Sequence, residues 1–132
     1  MKTIIAVLLA LVCGIAQAQV SQLGAFTPIG NTVTFTGNTS GSVPSPVQAT
    51  GCATGSQCQY LISNSGVNNV CVGFGSAAEA TANSVIPTST PTFCTWVFAN
   101  TQIIITTEPN SYFTGITGTG TAVVYVQSGN GT

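Results

Sequence analysis

Thr32-Val33-Thr34-Phe35-Thr36 alternates hydroxyl and apolar side chains. Successive side chains of a strand point to opposite faces, so this stretch reads as a strand with one wet face and one buried face. Gly37-Asn38-Thr39-Ser40-Gly41-Ser42 breaks the pattern, and Val43-Pro44-Ser45-Pro46 reads as extended chain suited to an edge or a linker. Beyond it, Gln59 to Ser63 reads as a strand, Asn64 to Asn69 as a turn, and Val70 to Phe74 as the returning strand. Phe93 to Phe98, Gln102 to Thr107, Tyr112 to Thr117 and Thr121 to Gln127 complete the set, with turn signals at Glu108-Pro109-Asn110 and Gly118-Thr119-Gly120.

About eight short strands with frequent turns point to an all-β chain: a single antiparallel β-sandwich or jelly-roll-like domain over 19–132. Thr, Val and Ile suit the pleated surface because branching at Cβ restricts χ1 in a way strands accept. Ile103-Ile104-Ile105 and Val123-Val124-Tyr125-Val126 are apolar on both faces, which places them inside a sandwich or inside an assembly. At most one short helix is expected, near 76–83. Ser76-Ala77-Ala78-Glu79 has the spacing of a capping box, and the alanines that surround and follow it supply helix propensity. Neither an internal repeat nor a second domain is visible.

The chain of 132 residues carries three charged side chains, Lys2, Glu79 and Glu108, with no Arg and no His. Thr and Ser together number 33, and hydrophobic residues make up 44%, enough to build a core. Without His there is no base to activate any of the many hydroxyls, so a nucleophilic triad is excluded. Nucleic-acid binding needs cations against phosphate, and only one is present. Gly73-Phe74-Gly75 starts like a dinucleotide fingerprint but lacks the third glycine, and a simple turn is the plainer reading.

Two carboxylates match the number a glycosidase needs. Each has a plainer use: Glu79 as a helix cap, and Glu108 at the first position of a turn with Pro109 second. Trp96 and the other aromatics would suit a sugar-binding platform, but Trp96 shares strand parity with Cys94 and Phe98 and is expected in the core. The expectation is no enzyme: no catalytic, metal or cofactor-binding residues, and no cofactor.

The first residues read as an address. Met1-Lys2 gives a short positive region, Ile4 to Ala16 an apolar run, and Ala16-Gln17-Ala18 small residues where signal peptidase reads. The run is shorter than a helix needs to cross a hydrocarbon core of roughly 30 Å. The expectation is a signal peptide over 1–18 and no stable membrane span after its removal. An uncleaved anchor is the alternative. A lipoprotein fits less well, because Val12 stands where a small residue should precede Cys13. Removal of Lys2 with the signal would leave nothing for trypsin to cut.

Four cysteines remain: Cys52, Cys58, Cys71 and Cys94. An even number in an exported chain points to two disulfides, with three pairings open. Local pairing is favoured. Cys52 and Cys58 bracket the flexible Ala53-Thr54-Gly55-Ser56-Gln57, and Cys71 and Cys94 sit in two strand-like runs that a bridge would join. Free buried thiols and a four-thiolate zinc site are the alternatives; paired C-x-x-C knuckles for zinc are missing. Asn38-Thr39-Ser40 and Asn130-Gly131-Thr132 match glycosylation sequons, which matter only in a eukaryotic secretory pathway.

From Gln59 to Gly75, the text Gln-Tyr-Leu-Ile-Ser-Asn-Ser-Gly-Val-Asn-Asn-Val-Cys-Val-Gly-Phe-Gly resembles small β-sandwich proteins of tailed-phage and prophage structural modules. Ser76 to Ala82 resembles the Ala-rich segment that follows there. Ala25-Phe26-Thr27-Pro28 resembles their start, and Ser111 to Gly131 their C-terminal hairpin. The resemblance implies a virion or head-associated structural role without catalysis and carries over no functional residue. A signal segment and four cysteines depart from it, since such particles assemble in the reducing cytoplasm. Cys71 also stands where an apolar residue is expected.

Two functions follow as expectations. One is a non-enzymatic structural protein of phage or prophage type, associating with itself or with other structural proteins of a virion. Near-zero charge gives little repulsion between copies. The other is an exported binding module of the cell surface or periplasm, an adhesin or a receptor blocker, motivated by the signal and the cysteines.

Overall fold

The structure, a computed structural model, describes residues 26–39, 43–86 and 93–131. The signal segment 1–18, Ser40 to Ser42 and the last residue of each sequon lie outside the described residues.

Eight strands and one short helix make up the described chain: β1 (Phe26–Thr39), β2 (Val47–Gln48), β3 (Cys58–Asn64), β4 (Val70–Gly75), α1 (Ala77–Asn83), β5 (Thr95–Val97), β6 (Thr101–Thr107), β7 (Tyr112–Thr117) and β8 (Ala122–Gly131). The described chain is all-β with one short helix, as its alternation and turn residues indicate. All eight strands belong to one sheet of order β5-β4-β7-β1-β8-β3-β6, with β2 on β7. The sheet curls until it is nearly closed into a barrel, and its two halves face each other as two layers.

The first half is β1-β8-β3-β6, antiparallel throughout. The second is β5-β4-β7 with β2, also antiparallel. They join where the end of β1 runs parallel to β7, Asn38 beside Ile116 and Thr39 beside Thr117. Antiparallel pairing alone is the sequence expectation, and this short parallel ladder is the difference. Its cause is the length of β1. The strand spans 14 residues, enough to pair with β8 and then cross to the other half. A register shift between Pro28 and Thr32 bends its start, where Pro28 has no N–H for the ladder.

Core side chains alternate as the pattern demands. β3 is buried at Cys58, Tyr60, Ile62 and Asn64 and half-buried between them. Phe35, Tyr60, Ile62, Val124 and Val126 of one half meet Val70, Val72, Val97 and Phe113 of the other in one cluster. The Tyr60 and Phe113 rings span the layers with centroids 4.8 Å apart, tilted by 56°. Each such side chain contributes about 1.5–3 kcal/mol on burial.

α1 lies on the outer face of β4 and β7. Ser76 caps it: its hydroxyl accepts from Glu79 N–H, and the Glu79 carboxylate accepts from Ser76 N–H. The helix comes close because Gly73 has no side chain. A Cβ there would fall on the Ala80 carbonyl and on Ser84. Ser84 completes the contact, its hydroxyl accepting from Gly73 N–H at 3.2 Å and donating to Ala80 C=O at 2.8 Å. The two β-layers are therefore not the whole cover of the molecule, and Cys71, on the outer side of β4, is fully buried.

Candidate functional site

The outward side chains of the first half form an ordered grid. Across β1, β8, β3 and β6, one row runs Thr34, Tyr125, Ser63, Gln102 and the next runs Thr32, Gln127, Leu61, Ile104. Strand alternation puts them there, because Phe35, Tyr60, Ile62, Val124 and Val126 point the other way into the core. Six of these eight residues line a shallow hollow of 240 Å³: Thr32, Leu61, Ser63, Gln102, Tyr125 and Gln127. Tyr125 is 42% exposed. No residue of the grid is Asp, Glu, Lys, Arg or His, so the face offers hydroxyls, amides and apolar surface alone.

Further hollows lie elsewhere among the described residues. Val67, Asn68, Asn69, Trp96, Gly118 and Thr119 line one of 290 Å³. Trp96 is half-buried there, on the side of β5 opposite the buried Val97. The core position expected from its parity is therefore corrected. Cys94 and Cys71 do share its side, but α1 and the segment behind it bury Cys71 on the outer face. Strand parity cannot tell a core from such a cover. The neighbouring asparagines hold the loops together: Asn68 donates to Thr121 C=O, and Asn69 accepts from Ala99 N–H.

The two carboxylates have separate settings. Glu79 is tied to Ser76, and that backbone N–H, with the Ser76 hydroxyl second, holds its carboxyl below the ordinary value. Glu108 lines a third hollow of 480 Å³ with Gly55, Ser56, Gln57 and Pro109. Glu79 is not part of that lining. The Glu108 turn closes as the sequence indicates, with Asn110 at φ 60° and the Glu108 carbonyl accepting from Ser111 Oγ at 2.7 Å. The Glu79 carboxylate thus caps α1, whereas Glu108 serves its turn through its main-chain carbonyl.

The cysteines pair as favoured above: Cys52 with Cys58 and Cys71 with Cys94, Cα–Cα 5.9 Å and 5.4 Å. The zinc and free-thiol alternatives give way to two disulfides. Among the described residues no cluster of metal-binding side chains occurs, and no helix is long and apolar enough to cross a membrane. Two disulfides fit a non-reducing environment.

No protein-family model, no curated protein and no solved structure matches the chain.

Proposed function

We propose that this chain is a non-enzymatic structural protein of phage or prophage type that works by associating with copies of itself or with other virion proteins. One observation carries the reading: the four-strand outer face bears Leu61, Ile104 and Tyr125 among hydroxyls and amides, with no charge to oppose a like surface. Ile104 and Tyr125 come from the strands whose sequences are apolar on both faces. The inner side chains of those strands fill the core, and the outer ones remain for a partner.

A second reading is an exported adhesin or receptor blocker. The two disulfides favour it, as does the hollow that combines Trp96 with Asn68, Asn69 and Thr119, a pairing of aromatic face and amides that suits a saccharide. The two readings differ in where the protein is found. Intact mass should be measured on protein from purified particles and on protein from periplasm and medium. Recovery in particles supports the first reading. Recovery only outside them, as a chain beginning at Gln19, supports the second.

A further inference from the structure

The sheet has two ends, and they differ. β5 ends it with 3 residues, β6 with 7. Among the described residues no ladder joins β5 to β6, and the outer edge of β6 pairs with none of them. Proteins usually guard such an edge with Lys, Pro, a bulge or a very short strand. β6 has none of these guards. Thr101-Gln102-Ile103-Ile104-Ile105-Thr106-Thr107 is uncharged and free of proline, and it pairs with β3 in unbroken register. At the same edge the core is incompletely covered. Ile103 and Ile105 pack on it yet stay only half-buried, and Phe98, in the turn leading into β6, is 60% exposed.

The order of residues indicates which strand fits. Read from both ends toward Ile104, the side chains match: Thr101 with Thr107, Gln102 with Thr106, Ile103 with Ile105. An antiparallel strand of the same sequence, related by a two-fold axis at Ile104, sets like opposite like on both faces. Such self-complementarity is what an isologous dimer interface requires.

We propose that β6 pairs antiparallel with β6 of a second copy, about a two-fold axis at Ile104, to make one continuous sheet. Ile103 of each copy then meets Ile105 of the other on the core side. On the outer side Leu61 and Ile104 of both copies form one apolar row. The free backbone groups of the edge gain partners, and no charge resists the contact. This proposal rests on the association reading and names its partner and its edge.

The test combines light scattering with deuterium exchange on the oxidised protein across a concentration series. The expected result is a dimer in which the β6 amides not bonded to β3 become protected. A dimer or larger species whose β6 amides exchange as fast as in the monomer overturns edge pairing while the association reading stands. A monomer at every concentration overturns edge pairing and self-association alike, and association with other virion proteins is then read from recovery of the protein in purified particles. Ile104→Lys and Ile104→Glu supply the second arm. Each alone should weaken association roughly tenfold, because like charges meet at the axis. An equimolar mixture should restore a mixed dimer, which also shows that both variants fold. Failure of the mixture to associate, with both variants folded, places the axis elsewhere and overturns the proposal.

Discussion

Leu61 on β3 and Ile104 on β6 stand directly opposite each other, both half-buried, on the face turned away from the core. One residue further along β3, Ile62 is wholly buried. The two neighbours should therefore behave differently. Leu61→Ser should change unfolding stability by less than about 1 kcal/mol, as surface substitutions do, while weakening association. Ile62→Ala should cost about 2–5 kcal/mol through lost burial and a cavity. Urea unfolding of the two variants checks this. Equal losses would mean that the outer face is part of the folding core.

Tyr60 fastens β3 to the β6–β7 turn. Its hydroxyl donates to the Glu108 carbonyl at 3.0 Å and accepts from Ser111 N–H at 3.2 Å, next to the Tyr60–Phe113 ring contact. Tyr60→Phe keeps the ring and leaves the buried Ser111 N–H without this acceptor. The expected cost is about 1–3 kcal/mol by chemical denaturation, with an unchanged slope. A neutral result would mean that water replaces the hydroxyl.

Glu79 gives α1 a pH dependence whose sign is fixed by its pairing. Its folded pKa lies below the ordinary 4.5, because Ser76 N–H and Oγ–H favour the carboxylate. That support is present above 4.5 and is lost as pH falls through the lower folded value. Glu79→Gln should thus be less stable than the parent at neutral pH, and the gap should shrink on acidification below 4.5. Thermal melts across that range test it. A constant gap would assign the effect to something other than charge.

Cys71–Cys94 ties β4 to the residue just before β5 across a sequence separation of 23. Cys52–Cys58 closes a loop of separation 6 beside the start of β3. In the chain-entropy account each contributes about 2–4 kcal/mol through the unfolded state, more for the longer loop. Replacing Cys71 and Cys94 together should lower the denaturation midpoint more than replacing Cys52 and Cys58. The reverse order would point to native-state packing at the shorter loop.

Much of this was legible in the residues. Alternation placed the strands, the Ser76–Glu79 spacing placed the helix and its cap, and the cysteine positions indicated the pairing. Boundaries were less legible. β1 begins at Phe26, well before its alternating stretch, because pairing with β8 sustains it. β2 is two residues held by β7 and has no local signature. Trp96 lies outside the core because β5 turns Val97 inward, and Phe98, which shares the parity of Trp96, is 60% exposed. The self-matching order of β6 lay in the sequence, but its meaning depends on β6 being an open edge. That is a property of topology.

Association through uncharged surface differs from charge-driven assembly in its response to salt. Light scattering should be followed from about 10 mM to about 1 M salt, across which the Debye length falls from roughly 30 Å to roughly 3 Å. The expected result is a species larger than the monomer throughout, with an affinity unchanged or slightly raised by salt. A monomer at all concentrations, or an assembly that salt dissolves, would overturn association through uncharged surface.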